Sequence, residues 1–122
     1  MIFKNKKILV ISAHPDDETI GCGGTLYLAQ KMGCNIKVLF LGEGVSTRFP
    51  NKENSDKSKK AKKIRENESK KALSILNIKQ YKFSDRLCTQ FDKFPIIDLV
   101  REIEYEINQF KPQIIFTHCD NE

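Results

Sequence analysis

Four short strand-like runs, each separated from the next by a stretch able to form a helix, limit this chain to a narrow set of folds. Residues 7–13 (KILVISA) and 35–41 (NIKVLFL) are β-branched and apolar nearly throughout, the pattern of strands buried on both faces. Residues 79–84 form a third candidate strand, and residues 113–117 (QIIFT) a fourth that should also be buried. Between them, residues 19–32 read as a helix with Gly33 at its C-cap, and residues 56–76 as a second. The third helix is the clearest. Ile96, Val100, Ile103, Ile107 and Phe110 share one face, and Pro95 sits at its first turn.

Strands joined through helices need crossover connections. The expectation is therefore an α/β fold: a Rossmann-like three-layer α/β/α arrangement on a mostly parallel sheet. The 122 residues allow one domain. The chain ends five residues past the fourth run with no closing helix, so the expected domain, 1–122, is a truncated one.

Composition excludes several classes. With 39% hydrophobic and 30% charged residues the chain is not of the disordered type. No apolar run approaches the roughly 20 residues that cross a bilayer. The N-terminal basic-then-apolar stretch is too short for a signal peptide and has no cleavage site, so it reads as a strand of a cytoplasmic protein. Cys22, Cys34, Cys88 and Cys119 show no CxxC pairing, which points to reduced thiols. The net charge of +5 arises largely between Lys52 and Lys71, where nine Lys/Arg face four Asp/Glu. The interspersed acids favour a solvated helix face, and no nucleic-acid partner is expected. An oligomer is compatible with the sequence.

In open parallel sheets, ligands bind beyond the carboxyl ends of the strands. Those ends carry His14 to Glu18, the long loop from Gly42 (residues 42–55), the stretch around Asp85, and His118 onward. The first is the most informative: AHPDDE, residues 13–18. Two adjacent carboxylates beside a histidine repel one another unless something offsets the charge. A divalent cation would do so. His14 and Asp17 are three residues apart, Pro15 stiffens the turn, and a nitrogen with an oxygen donor suits zinc. Asp16 would remain free as a base. Spacing alone equally admits a capping turn, with Asp16 or Asp17 accepting N–H bonds from the following helix.

Residues 8–26, ILVISAHPDDETIGCGGTL, resemble the opening of the LmbE-like (PIG-L) deacetylases, zinc enzymes acting on N-acetylglucosamine derivatives. Residues 45–49 (VSTRF) are similar to that family's loop after the second strand. Arg65 and Glu68 fit its R-x-x-E helix, and residues 111–118 (KPQIIFTH) its fourth strand. The resemblance implies that His14 and Asp17 bind Zn²⁺ and that Asp16 is the general base. It implies that Arg48 and Asp85 hold an N-acetyl amino sugar and that His118 lines the pocket. There His118 would donate to the developing oxyanion, the alternative being a structural hydrogen bond at the strand end. The family's third zinc ligand is a histidine in a later DH motif, which lies beyond Glu122.

Gly21, Gly23 and Gly24 are expected to let the first helix approach the sheet. A dinucleotide-binding reading, resting on Gly21, Gly23 and Glu43, fails at the third glycine position, which is Leu26. A nucleic-acid binder resting on the lysine-rich helix would need affinity that falls steeply with salt. A third alternative is that these 122 residues alone are catalytically inactive.

Overall fold

The computed structural model describes residues 2–88 and 90–120. In chain order it contains β1 (Lys7–Ser12), α1 (Asp17–Lys31), β2 (Asn35–Gly42), α2 (Asp56–Ile75), β3 (Gln80–Arg86), α3 (Ile96–Phe110) and β4 (Ile114–Phe116). Single 3-10 turns occupy Ser46–Arg48 and Phe91–Lys93. The strands lie in the order β3-β2-β1-β4 and every pairing is parallel.

Alternation along the two central strands builds the layers. Ile8, Val10, Ile36, Val38 and Phe40 face α1 and α2, where Leu26, Ala29 and Leu73 complete one core. Leu9, Ile11, Leu39 and Leu41 face the other way, onto Phe110 with Leu99, Ile103 and Ile107 of α3. Both faces of β1 and β2 are thus covered, which is why their sequences lack polar alternation. Phe40 is fully buried and stacks on Phe83, with ring centroids 4.8 Å apart. Helix α1 ends as its glycine requires: Gly33 takes φ +78°, and the Cys34 N–H reaches back to the Ala29 carbonyl.

Three expectations need correction. Strand β3 runs on to Arg86, so Asp85 lies within the strand and not past its end. Strand β4 is not buried: it pairs with β1 at the sheet edge, and Ile115 is 43% exposed. The α1 glycines do not serve close packing. A Cβ at Gly21 or Gly24 would meet nothing within 4 Å, and one at Gly23 would touch only Thr19 of its own helix. Leu26 and Ala29 make the sheet contact instead, while the helix kinks at Cys22 (φ −143°, ψ 16°) between the glycines.

The chain leaves β1 toward β2 and β3, then returns through α3 to place β4 on the other side of β1. The order reverses between β1 and β4. The crevice at the carboxyl ends of those two strands is where such a sheet binds ligands.

Candidate active site

The turn after β1 delivers its acidic residues in different directions. Asp17 folds back: its Oδ2 accepts the His14 backbone N–H at 2.8 Å. Neither carboxylate caps the helix. Asp16 occupies the N-cap position but makes no side-chain cap bond, so the capping alternative is not what the chain adopts. Asp16 points to α2, where Arg65 Nη1 donates to its Oδ2 at 2.9 Å.

His14 is held on three sides. Its Nδ1 is 3.8 Å from Asp17 Oδ2, its Nε2 is 3.3 Å from Cys88 Sγ, and its ring packs beside Phe91 with centroids 6.0 Å apart. Glycine at position 42 allows this. The Gly42 N–H donates to the Ala13 carbonyl at 2.8 Å, and a Cβ there would stand 2.7 Å from the Phe91 ring.

His118 follows β4 and returns to the same turn. Its Nε2 accepts the Ala13 N–H at 2.9 Å and lies 3.4 Å from Asp17 Oδ2. That nitrogen's lone pair is therefore committed to the backbone, which leaves Nδ1 as the ring's donor. Asp17, Glu18 and His118 border a cavity of about 390 Å³ between α1 and the ends of β1 and β4, closed below by Val10, Ile11 and Phe116.

One imidazole nitrogen and one carboxylate oxygen facing each other at 3.8 Å fit zinc as part of a three-ligand set. Among the described residues, no group of three His, Cys, Asp or Glu side chains completes such a set.

Arg48 and Asp85 do not join this cluster. Arg48 is exposed at the end of its 3-10 turn. Asp85 is 79% exposed, forms an ion pair with Lys62 of α2, and lines a separate polar groove with Glu43, Glu53 and Ser58. Both stand on the β2–β3 side of the crevice.

Four residues given no role in catalysis or metal binding from sequence complete the site. Arg65 and Cys88 touch Asp16 and His14 as described. Glu43 is buried and staples two loops: its carboxylate accepts the N–H groups of Val45, Ser46 and Cys88. Burial pushes its carboxyl up, but the hydrogen bonds from Ser46, Cys88 and Val45 outweigh that and hold it below the ordinary glutamate value. Glu18 is the opposite case. It is 2% exposed, one oxygen takes the Thr19 hydroxyl and the other has no partner among the described residues, so burial raises its carboxyl above the usual range. The AHPDDE string marked Glu18 and the strand end marked Glu43. Arg65 stood out only as part of the R-x-x-E string, and nothing in the local sequence marked the contacts that bridge 45 to 74 residues.

The PIG-L family, described as GlcNAc-PI de-N-acetylase, matches residues 9–122. Solved structures share the fold. A Pyrococcus horikoshii N,N'-diacetylchitobiose deacetylase aligns with TM-score 0.72 and 25% identity over 90% of this chain and 39% of its own. The zinc-inhibited form of teicoplanin deacetylase Orf2 aligns with TM-score 0.71 and 18% identity over 91% of this chain and 55% of its own. The Pseudomonas putida 4-carboxy-2-hydroxymuconate hydratase GalB aligns with TM-score 0.73 and 24% identity over 93% and 47%. The chain thus spans about half the length of these structures or somewhat less. No curated protein sequence matches it significantly. With a family match running from β1 to the last residue, on a sheet of the same architecture, the chain belongs to the PIG-L family.

Proposed function

We propose that this chain carries the metal-binding and base residues of a zinc-dependent N-deacetylase that removes the acetyl group from an N-acetylated amino sugar. The observation that carries this reading is the division of labour in the turn after β1. Asp17 turns toward His14, and Asp16 turns away to Arg65. Adjacent acids with separate environments are what a metal ligand and a base require. Family membership and the diacetylchitobiose deacetylase neighbour favour an acetylated sugar over the hydratase chemistry of GalB.

His14 and Asp17 would hold the ion. When bound, zinc supplies a water acidified toward neutral pH and a positive charge beside the acetyl carbonyl. Among the described residues nothing pairs with Asp16 Oδ1 while Arg65 fixes Oδ2, so Oδ1 would take the proton as the new C–O bond forms. The same oxygen returns it to the departing nitrogen as the C–N bond breaks, giving acetate and a free amine. With Nε2 accepting the Ala13 N–H, His118 would donate through Nδ1 to the charge developing on the carbonyl oxygen. Arg48 and Asp85, on the β2–β3 side, are assigned to sugar hydroxyls. The four cysteines are unpaired, in keeping with a cytoplasmic setting.

Metal analysis combined with acetate release from N-acetylglucosamine derivatives tests the assignment. Asp16→Asn should keep zinc and lose turnover by about 10²–10⁴-fold, whereas His14→Ala should lose both. Full activity in Asp16→Asn would remove the base. A protein that neither contains zinc nor responds to it would remove the whole reading.

A further inference from the structure

We infer that Cys88 is a positioning residue for His14: its sulfur receives the imidazole Nε2–H and thereby leaves Nδ1 as the nitrogen that faces a metal ion. The inference rests on the assignment of His14 as a ligand and extends it to the residue behind the ring.

A neutral imidazole has one donor nitrogen and one acceptor nitrogen. His14 Nε2 is 3.3 Å from Cys88 Sγ, within range for a hydrogen bond to sulfur. On the other side, Nδ1 is 3.8 Å from Asp17 Oδ2, too long for a hydrogen bond. It is near the separation of two donors that share one ion, about 3.3 Å for tetrahedral zinc at its usual bond lengths. Asp17 Oδ2 already accepts the His14 N–H and needs no proton from the ring. One tautomer satisfies both sides: a proton on Nε2 and a lone pair on Nδ1.

Cys88 is fixed well enough to impose that choice. It is 7% exposed. Its backbone N–H donates to Glu43 Oε1 at 2.7 Å and to Ser46 Oγ at 2.9 Å. The Thr47 hydroxyl donates toward the sulfur from 3.9 Å, so Sγ already serves as an acceptor on that side. Metal-binding histidines commonly hand their second N–H to such a partner, and its loss weakens metal affinity by about 10–100-fold. Here the partner is a thiol, held through Glu43 by the loop after β2.

Long-range ¹H–¹⁵N correlation of the metal-free protein reads the tautomer directly, and competition with a chromophoric chelator reads zinc affinity. The wild type should show His14 protonated at Nε2. Cys88→Val, of similar size but with no acceptor, should give mixed tautomers and about tenfold weaker zinc binding. Cys88→Ser, which keeps an acceptor, should preserve the tautomer and most of the affinity. Circular dichroism of both variants confirms the fold. An unchanged tautomer and unchanged affinity in Cys88→Val would overturn the inference. A wild type that binds no zinc, yet loses the Nε2–H form in Cys88→Val, would overturn the metal assignment and leave the Cys88–His14 contact standing.

Discussion

Arg65 Nη1 lies 2.9 Å from Asp16 Oδ2, joining the middle of α2 to the turn after β1 across 49 residues of sequence. The pair fixes one carboxylate oxygen, and among the described residues nothing pairs with the other. Arg65→Ala should lower kcat by about 10–100-fold, part of what a general base contributes, with zinc content unchanged. Arg65→Lys should restore only part of the loss, because an ammonium cannot reproduce the planar fork. Kinetics with metal analysis on the same preparations decide it. Wild-type kcat in Arg65→Ala would show that Asp16 needs no support.

Gly42 is the tightest point under the site. Its missing side chain leaves room for the Phe91 ring, which packs on His14, and a Cβ would also stand 3.2 Å from the Ala13 carbonyl. Gly42→Ala must displace the ring or the β1 end. The expected cost is about 1–3 kcal/mol, as for other overpacked positions. A lower urea midpoint at constant m-value measures it, and zinc affinity should fall alongside.

The parts of the molecule that were readable from sequence are those set by local pattern. β1 and β2 announce themselves because both faces are covered, and the position of AHPDDE follows because it closes β1. β3 was read two residues short because Asp85 and Arg86 look like a turn. Arg86 stays in the strand because it pairs with Gly42 of β2 and its carbonyl accepts the Glu43 N–H, while its guanidinium pairs with Glu102 of α3. The α1 glycines misled because a glycine run suggests close approach, yet the kink at Cys22 turns Gly21 and Gly24 outward. Arg65, Cys88 and Glu43 carry no local signature for their contacts. Each depends on tertiary placement of a helix or loop on a distant turn.

Glu43 makes the site acid-sensitive. Its folded pKa lies below the ordinary glutamate value, because the hydrogen bonds to its carboxylate outweigh burial, so the folded state binds its proton less readily. The stability it contributes is complete above that value and is lost as pH falls through the folded pKa. Glu43→Gln removes this term. Replacing charge-assisted bonds with neutral ones should cost about 1–2 kcal/mol at pH 7. The difference from wild type should shrink as both are titrated below pH 4, measured by urea unfolding at each pH. A constant difference would mean that shape, not charge, holds the loop.

The proposed reading gives His118 two separable roles. Its Nε2 accepts the Ala13 N–H and ties the end of β4 to the turn after β1, while Nδ1 has no partner among the described residues. His118→Ala should lose both, with about 0.5–1.5 kcal/mol of stability and about 10²–10³-fold in kcat, as when an oxyanion donor is removed. His118→Gln separates them. Its carbonyl oxygen can accept from Ala13 and restore stability, but its amide is no longer aimed where Nδ1–H was. A stable His118→Gln protein with the turnover of His118→Ala would assign the donor role to the ring. If His118→Gln instead recovers full turnover, the residue is a strand latch, and the oxyanion must be met by another group.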